Sequence, residues 1–69
     1  MDTEFSTLMD EIIQSIREAG YEPYDQLYGY ITTGKEEYIT RTGNAREKIK
    51  RLNWQKVKEY VDNMKGVPL

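Results

Sequence analysis

The chain has 69 residues, of which 38% are hydrophobic and 32% charged, with a net charge of −2 and no histidine or cysteine. A chain this short buries only roughly 60% of the surface that it exposes when unfolded, so we expect one marginally stable domain over residues 1–69. The missing residue types exclude disulfides and thiolate or imidazole metal sites, and they remove the commonest nucleophiles and general bases. We therefore expect no catalytic residues, no metal and no cofactor, and we expect self-association to add stability.

Charge is divided unevenly along the chain. Residues 1–40 carry nine acidic and two basic side chains, a net charge of −7, whereas residues 41–69 carry eight basic and three acidic ones, a net charge of +5. This polarity favours self-association or a charged protein partner. Uninterrupted apolar runs reach only two or three residues, too short for a signal-peptide core or a membrane span. A cytoplasmic location without membrane contact is the expectation.

Residues 5–19 have the spacing of one amphipathic helix, because apolar residues recur at steps of three and four with polar residues between them. Asp2 or Ser6 is a candidate N-cap, and Gly20 stands where a left-handed residue ends a helix. The apolar positions are Phe5, Leu8, Met9, Ile12, Ile13, Ile16 and Ala19.

A second, shorter helix is predicted from Pro23, which suits the first helical position, to Gly34, which ends it. Its apolar face is formed by Tyr24, Leu27, Tyr28 and Ile31. A glycine inside a helix costs about 1 kcal/mol relative to alanine, so Gly29 indicates close packing against another helix. The following KEEYI, residues 35–39, predicts one helical turn that carries Tyr38 and Ile39 inward.

The remainder predicts a loop and two further helices. Thr42 and Asn44 are capping candidates in the loop, and Asn53 is predicted to break the helical run and to act as N-cap of the last helix. Gly66 and Pro68 are predicted to end that helix. The two helices have separate apolar stripes, formed by Ala45, Ile49 and Leu52 and by Trp54, Val57, Val61 and Met64. The fold class is therefore all-α, a small compact domain of four short helices plus a helical turn, expected to form a homodimer.

Basic residues are concentrated in the second half of the chain. A basic helix after a short loop is one signature of a helix-turn-helix DNA reader, but the chain as a whole is acidic, which disfavours nucleic acid. A solvated face, or a surface for an acidic protein partner, is the stronger interpretation. Between positions 41 and 58 the bases are Arg41, Arg46, Lys48, Lys50, Arg51, Lys56 and Lys58, against the single acid Glu47.

Tyrosines and threonines supply the remaining candidates. Most of the six tyrosines fit core or dimer packing, whereas Tyr21 and Tyr30 lie off the predicted apolar face and are candidate interface residues. Thr3 and Thr7 lie near the start of the first helix, where the helix dipole favours a phosphate, so both are candidate phosphorylation residues. Their alternative role is helix capping.

The run GYEPYDQLYGYITTGKEEYITRTGNAR, residues 20–46, closely resembles the hallmark of the IreB/ReoM family of small regulatory phosphoproteins of Gram-positive bacteria. The match is without a gap through Ile49 and continues more loosely through the last helix to the ending GVPL, which is similar to the family's GVDL. In all it covers roughly three quarters of the chain, and a motif of this length is specific. The matched positions are Gly20, Tyr21, Pro23, Gln26, Gly29, Tyr30, Gly34, Tyr38, Ile39, Arg41, Ala45, Arg46 and Ile49.

The resemblance implies a non-catalytic, cytosolic, all-helical homodimer. It implies a membrane Ser/Thr kinase as one partner, and protein partners through which the unphosphorylated form acts in peptidoglycan synthesis by Clp-dependent turnover. An N-terminal threonine in a T-x-x-F element is the family's switch, and Thr3-Glu4-Phe5 stands in its place here, as in a divergent member with a shortened N-terminus. Thr40, Thr42, Gly43 and Glu47 depart from the family pattern.

The residues predicted to face a partner are Arg41, Arg46 and Arg51, two of which fall on matched family positions. Arginine forks onto carboxylates, which suits a partner of opposite charge. The alternative for these three is an ion pair within the chain or across a dimer to the acids of the first helix.

Overall fold

The computed structural model describes residues 3–65, with Lys65 described by its backbone alone. Four α-helices lie in this range: α1 (Thr3–Glu18), α2 (Pro23–Thr33), α3 (Ala45–Lys50) and α4 (Trp54–Lys65). Two 3₁₀ turns, Glu36–Tyr38 and Thr42–Asn44, connect α2 to α3. The all-α prediction is thus confirmed over the described range, with a second helical turn that the sequence did not predict. The predicted roles of Asp2, Gly66 and Pro68, and the GVPL ending, lie outside the described residues.

Two of the three predicted helix ends with glycine, at Gly20 and Gly34, are confirmed. Gly20 and Gly34 have φ values of 89° and 75°, a left-handed conformation that costs glycine nothing. The N–H of Gly34 donates to Tyr30 O at 2.7 Å, which satisfies a carbonyl at the end of α2. At the start of α2, the carboxylate of Glu22 accepts a hydrogen bond from Tyr24 N at 2.8 Å. Ser6 lies inside α1, so its predicted role as N-cap of that helix is wrong.

The core is one cluster to which every α-helix contributes. Burying a large aliphatic side chain contributes about 1.5–3 kcal/mol, so this cluster supplies the main stabilisation. Phe5, Ile13, Tyr24, Leu52, Tyr60 and Met64 pack around it while partly exposed. The buried members are Met9, Ile12, Ile16, Leu27, Tyr30, Ile31, Ile39, Ala45, Ile49, Val57 and Val61.

Four aromatic positions differ from the prediction. Tyr30 is only 7% exposed, whereas Tyr28 of the predicted apolar face is 47% exposed. The reason is that α2 contacts α1, α4 and the Glu36–Tyr38 turn, so its buried stripe, formed by Pro23, Leu27, Tyr30 and Ile31, is rotated toward Tyr30 relative to the predicted one. Tyr38 and Trp54 are 49% and 42% exposed, so their predicted inward orientation is also wrong. Ile39, by contrast, is fully buried as predicted.

The close approach predicted at Gly29 is confirmed, although the neighbour is a side chain of the 3₁₀ turn instead of a helix. A Cβ added at Gly29 would lie 2.6 Å from Cδ1 and 3.0 Å from Cγ of the Tyr38 ring. These distances are shorter than carbon atoms tolerate, so only glycine lets the ring rest on α2 at this position.

The junction of the last two helices is confirmed as a break capped by Asn53. Its Oδ1 accepts hydrogen bonds from Gln55 N at 2.9 Å and Lys56 N at 3.1 Å. The capping predicted for α3 is wrong, because Asn44 has a left-handed φ of 60° and its side chain makes no capping hydrogen bond. A capping side chain requires extended backbone at that position. Thr42 lies within its own turn, where its N–H donates to Thr40 Oγ1.

Candidate partner-binding and phosphorylation surfaces

The three predicted partner-facing arginines occupy two separate surfaces. Arg41 and Arg46 border a recess of about 350 Å³ beside the start of α3, together with Asn44 and Glu47. Arg51, which follows α3, lines a different and larger groove of about 490 Å³. The structure therefore splits the predicted set, and each surface has its own chemistry.

Arg46 is committed to the fold. Its Nε donates to Ile39 O at 3.1 Å and its Nη2 donates to Glu37 O at 3.2 Å, so the guanidinium holds the chain around the Glu36–Tyr38 turn. Arg46 is half-buried by this contact. It makes no ion pair with another described residue, so the predicted alternative of an ion pair within the chain is not observed for Arg46 over residues 3–65. Its partners are backbone carbonyls, which a sequence pattern of charges does not reveal.

Arg41 has the opposite environment. Its side chain is exposed, and it makes no hydrogen bond or ion pair with any residue in the range 3–65. The backbone carbonyl of Arg41 accepts from Asn44 N at 3.1 Å, which fixes the start of the Thr42–Asn44 turn below the side chain. The guanidinium thus stands on an ordered turn with its donors directed to solvent, an arrangement suited to a carboxylate of another molecule.

The larger groove lies between the start of α1 and the junction of α3 with α4. Its wall on α1 carries both candidate phosphorylation residues, Thr3 and Thr7, which are exposed. The opposite wall carries Arg51. The sequence singled out these three residues separately, and the fold brings them to one groove. The groove is lined by Thr3, Glu4, Phe5, Thr7, Leu8, Arg51, Leu52, Asn53 and Lys56.

The groove is built on packed side chains. Phe5 contacts Tyr60 of α4 edge to face, with ring centroids 6.1 Å apart and an interplanar angle of 67°. Such a pair contributes about 0.5–1.5 kcal/mol beyond its buried area, which fixes the start of α1 against α4. Leu52 lies half-buried between α3 and α4 and packs against the core. The groove is therefore a defined feature of the fold.

Several lysines of the basic stretch are paired with carboxylates. Lys48 Nζ lies 3.1 Å from Glu11 on α1, and Lys58 Nζ lies 3.1 Å from Asp62 on its own helix. Lys50 Nζ lies 3.4 Å from Glu47. These pairs neutralise much of the charge that a DNA-reading helix would direct at phosphates. The helix-turn-helix alternative is not favoured.

The two predicted interface tyrosines lie in different environments. Tyr21 is 57% exposed, in the connection between α1 and α2. Tyr30 is buried, so the prediction that it lies off the apolar face is wrong. Burial raises the pKa of the Tyr30 hydroxyl above its ordinary value of 10.0, and the negative charge of Glu36 raises it further. Tyr30 serves the core.

The described residues also bear on two other possibilities, a metal site and a membrane-spanning helix. Within residues 3–65 no group of three or more acidic, histidine or cysteine side chains is placed to hold a metal ion. None of the described helices has the length and apolar character needed to cross a bilayer.

Two comparisons with known proteins bear on this geometry. The family model described as IreB regulatory phosphoprotein matches residues 1–63. A UPF0297 protein of Ruminiclostridium cellulolyticum is 32% identical over 72 aligned positions, which cover 97% of this chain and 82% of that protein.

Proposed function

The chain belongs to the IreB family of regulatory phosphoproteins, and on that basis we propose that it is a non-catalytic cytosolic adaptor that acts by binding other proteins. The process we assign to it is kinase-linked control of cell-wall synthesis through Clp-dependent turnover. A regulatory role and protein partners follow from the family. The process, the location and the partners rest on the resemblance of residues 20–46 to the family hallmark.

The observation that carries the adaptor proposal is the environment of Arg41. It is an exposed guanidinium on an ordered turn, and no described residue of its own chain pairs with it. Arg46 borders the same recess, but two of its N–H groups donate hydrogen bonds to backbone carbonyls. Arg41 is therefore the contact residue for an acidic partner surface, whereas Arg46 holds the preceding Glu36–Tyr38 turn.

The test compares tagged baits purified from the cells that make this protein, carrying either the natural sequence, Arg41→Ala or Arg17→Ala. Arg17 is an exposed arginine in the last turn of α1 and serves as the matched control. We expect Clp-protease components or wall-synthesis regulators with the natural and Arg17→Ala baits, and at least a tenfold loss with Arg41→Ala. Equal recovery with all three baits would remove Arg41 from the interface, and recovery of no such protein would refute the proposed process.

Phosphorylation is proposed at Thr3 or Thr7, by a Ser/Thr kinase. Both hydroxyls lie on the exposed side of the first turns of α1, where local opening requires the least free energy. Mass spectrometry of the protein from its own cells, with and without the kinase gene, checks this. A phosphate on either residue that disappears with the kinase supports the switch, and unmodified Thr3 and Thr7 under both conditions would refute it.

We also propose that the protein acts as a homodimer. The support is that four large aromatic side chains are exposed on a small domain, which buries little apolar area by itself and gains stability when a second copy covers such side chains. They are Tyr21, Tyr28, Tyr38 and Trp54. Sedimentation over a dilution series from millimolar to micromolar protein measures the equilibrium directly. A Tyr21→Ala variant is expected to shift it toward monomer, whereas a purely monomeric natural chain at every concentration would contradict the proposal.

A further inference from the structure

The groove between α1 and the α3–α4 junction places a phosphorylatable hydroxyl opposite a cation of the same molecule. Thr7 lies on one wall and Arg51 on the other, although they belong to opposite ends of the chain. The side chain of Arg51 makes no hydrogen bond or ion pair within the described residues. The inference that follows rests on the phosphorylation proposed above and concerns what the phosphate does once it is present.

Thr7 and Thr3 differ in what a phosphate can reach. The first N–H groups of a helix have no intrahelical acceptor, and Thr3 is the first described residue of α1. A phosphate on Thr3 can therefore be satisfied by these N–H groups. Thr7 lies beyond them, where the backbone N–H is already used by the helix. A phosphate on Thr7 must find side-chain donors, and the groove is where those donors lie.

The groove has a net positive charge. Three charged side chains line it, Glu4 on α1, Arg51 after α3 and Lys56 on α4, so one acid stands against two bases. The N-terminus of α4 adds the positive end of its helix dipole, and the Asn53 cap fixes that end at the groove wall. A dianionic phosphate entering from Thr7 would be attracted by these groups and repelled by Glu4.

We propose that phosphothreonine at position 7 is captured within its own molecule by Arg51, and that this capture closes the groove. In the kinase step the Thr7 Oγ1 forms a bond to the γ-phosphorus of ATP, the bond to ADP breaks, and the hydroxyl proton is released. The product fills the groove and covers its apolar floor of Phe5, Leu8 and Leu52. The modification thus changes a surface that is open to a partner into one that is occupied in cis.

The test installs the phosphate without a kinase, by incorporating phosphothreonine at position 7 during translation of the full chain. Phosphorus NMR over a pH series measures the second pKa of the phosphate, which is ordinarily about 6. Capture by a guanidinium favours the dianion, so we expect that pKa to fall by about 0.5 pH units. Arg51→Ala should reverse most of this fall, and Arg51→Lys should reverse part of it because lysine keeps the charge without the fork.

Two controls define the outcome. Arg17→Ala, remote from the groove, is expected to leave the phosphate pKa unchanged, and phosphothreonine at position 3 is expected to be insensitive to Arg51→Ala. Circular dichroism establishes whether each variant is folded. If Arg51→Ala does not fold, the comparison is made with Arg51→Lys. Equal phosphate pKa values in the presence and absence of Arg51 would overturn the capture. A phosphate pKa that depends on Arg51 only when the phosphothreonine is at position 3 would overturn it as well.

This design separates the inference from the function on which it rests. No kinase and no partner takes part, so a negative result leaves the adaptor role and the modification itself untouched. Conversely, if the kinase experiment finds Thr7 unmodified in cells, capture by Arg51 has no part in the switch, even when the installed phosphate is captured.

Discussion

Arg46 and Arg51 lie at the two ends of the same short helix, and the fold uses them in opposite ways. The guanidinium of Arg46 donates to the carbonyls of Ile39 and Glu37 and closes the Glu36–Tyr38 turn onto α3. The guanidinium of Arg51 makes no hydrogen bond or ion pair with a described residue and lines an open groove. The 3₁₀ turn beside Arg46 offers it two backbone carbonyls, whereas no described residue accepts a side-chain hydrogen bond from Arg51.

The difference shows that a basic stretch is not one functional surface. A guanidinium bonded to backbone carbonyls stabilises the fold, because a hydrogen bond to a charged group contributes about 1.5–3 kcal/mol. An exposed guanidinium contributes little to stability and remains available for binding. Substitutions at these positions should therefore separate stability from function.

Arg46→Ala should cause the largest loss of stability among the arginines. It removes two charge-assisted hydrogen bonds and frees the Glu36–Tyr38 turn, so we expect the free energy of unfolding to fall by about 2 kcal/mol. Urea denaturation followed by circular dichroism measures it. Arg41→Ala, five residues earlier on the exposed side of the same recess, is the matched control and should change stability by less than about 0.5 kcal/mol. Similar losses in both variants would contradict the division of roles.

Gly29→Ala should destabilise the protein by about 1 kcal/mol. Alanine gains about 1 kcal/mol in helix propensity, but its methyl group meets the Tyr38 ring, and such overpacking costs about 1–3 kcal/mol. The same substitution made together with Tyr38→Ala should become stabilising relative to Tyr38→Ala alone, because only the propensity gain remains. A double-mutant cycle by thermal unfolding decides this, and an unchanged cost without the ring would show that the contact is not its cause.

Some features of the fold can be predicted from local sequence rules and others cannot. The helix ends at Gly20 and Gly34 and the Asn53 cap follow local rules, so the sequence predicts them correctly. The burial of Tyr30 does not follow, because it depends on three elements packing around α2. The exposure of Trp54 escapes prediction for a related reason, since the first residue of a helix can lie at the edge of the apolar stripe that its spacing suggests.

The candidate sites were predictable as residues and not as surfaces. Arg41, Arg51 and Thr7 are recognisable by residue type and by position in the chain. Nothing in the sequence pattern indicates that Thr7 and Arg51 share a groove, or that Arg46 reaches the carbonyl of Ile39, since both depend on how α1 and the two 3₁₀ turns pack on α3. Long-range juxtaposition is the part that only the fold supplies.

The burial of Tyr30 predicts that the stability of the folded chain depends on pH. Its folded-state pKa is raised, so as pH rises above 10.0 the unfolded chain releases the Tyr30 proton before the folded chain does. Stability contributed by the neutral hydroxyl is complete below that pH and is lost as pH rises toward the folded value. Chemical denaturation between pH 8 and pH 11 should show a shallower decline for Tyr30→Phe than for the natural chain.

Arg51→Ala should have the smallest effect, within about 0.5 kcal/mol of the natural chain, in the unphosphorylated protein. Its side chain is exposed and makes no hydrogen bond or ion pair with a described residue, so its removal breaks no such contact within residues 3–65. The denaturation experiment used for Arg46→Ala measures both variants side by side. A loss comparable to that of Arg46→Ala would mean that Arg51 stabilises the α3–α4 junction and is not available for binding in the groove. A negligible loss leaves Arg51 available to bind, which is the condition that phosphate capture requires.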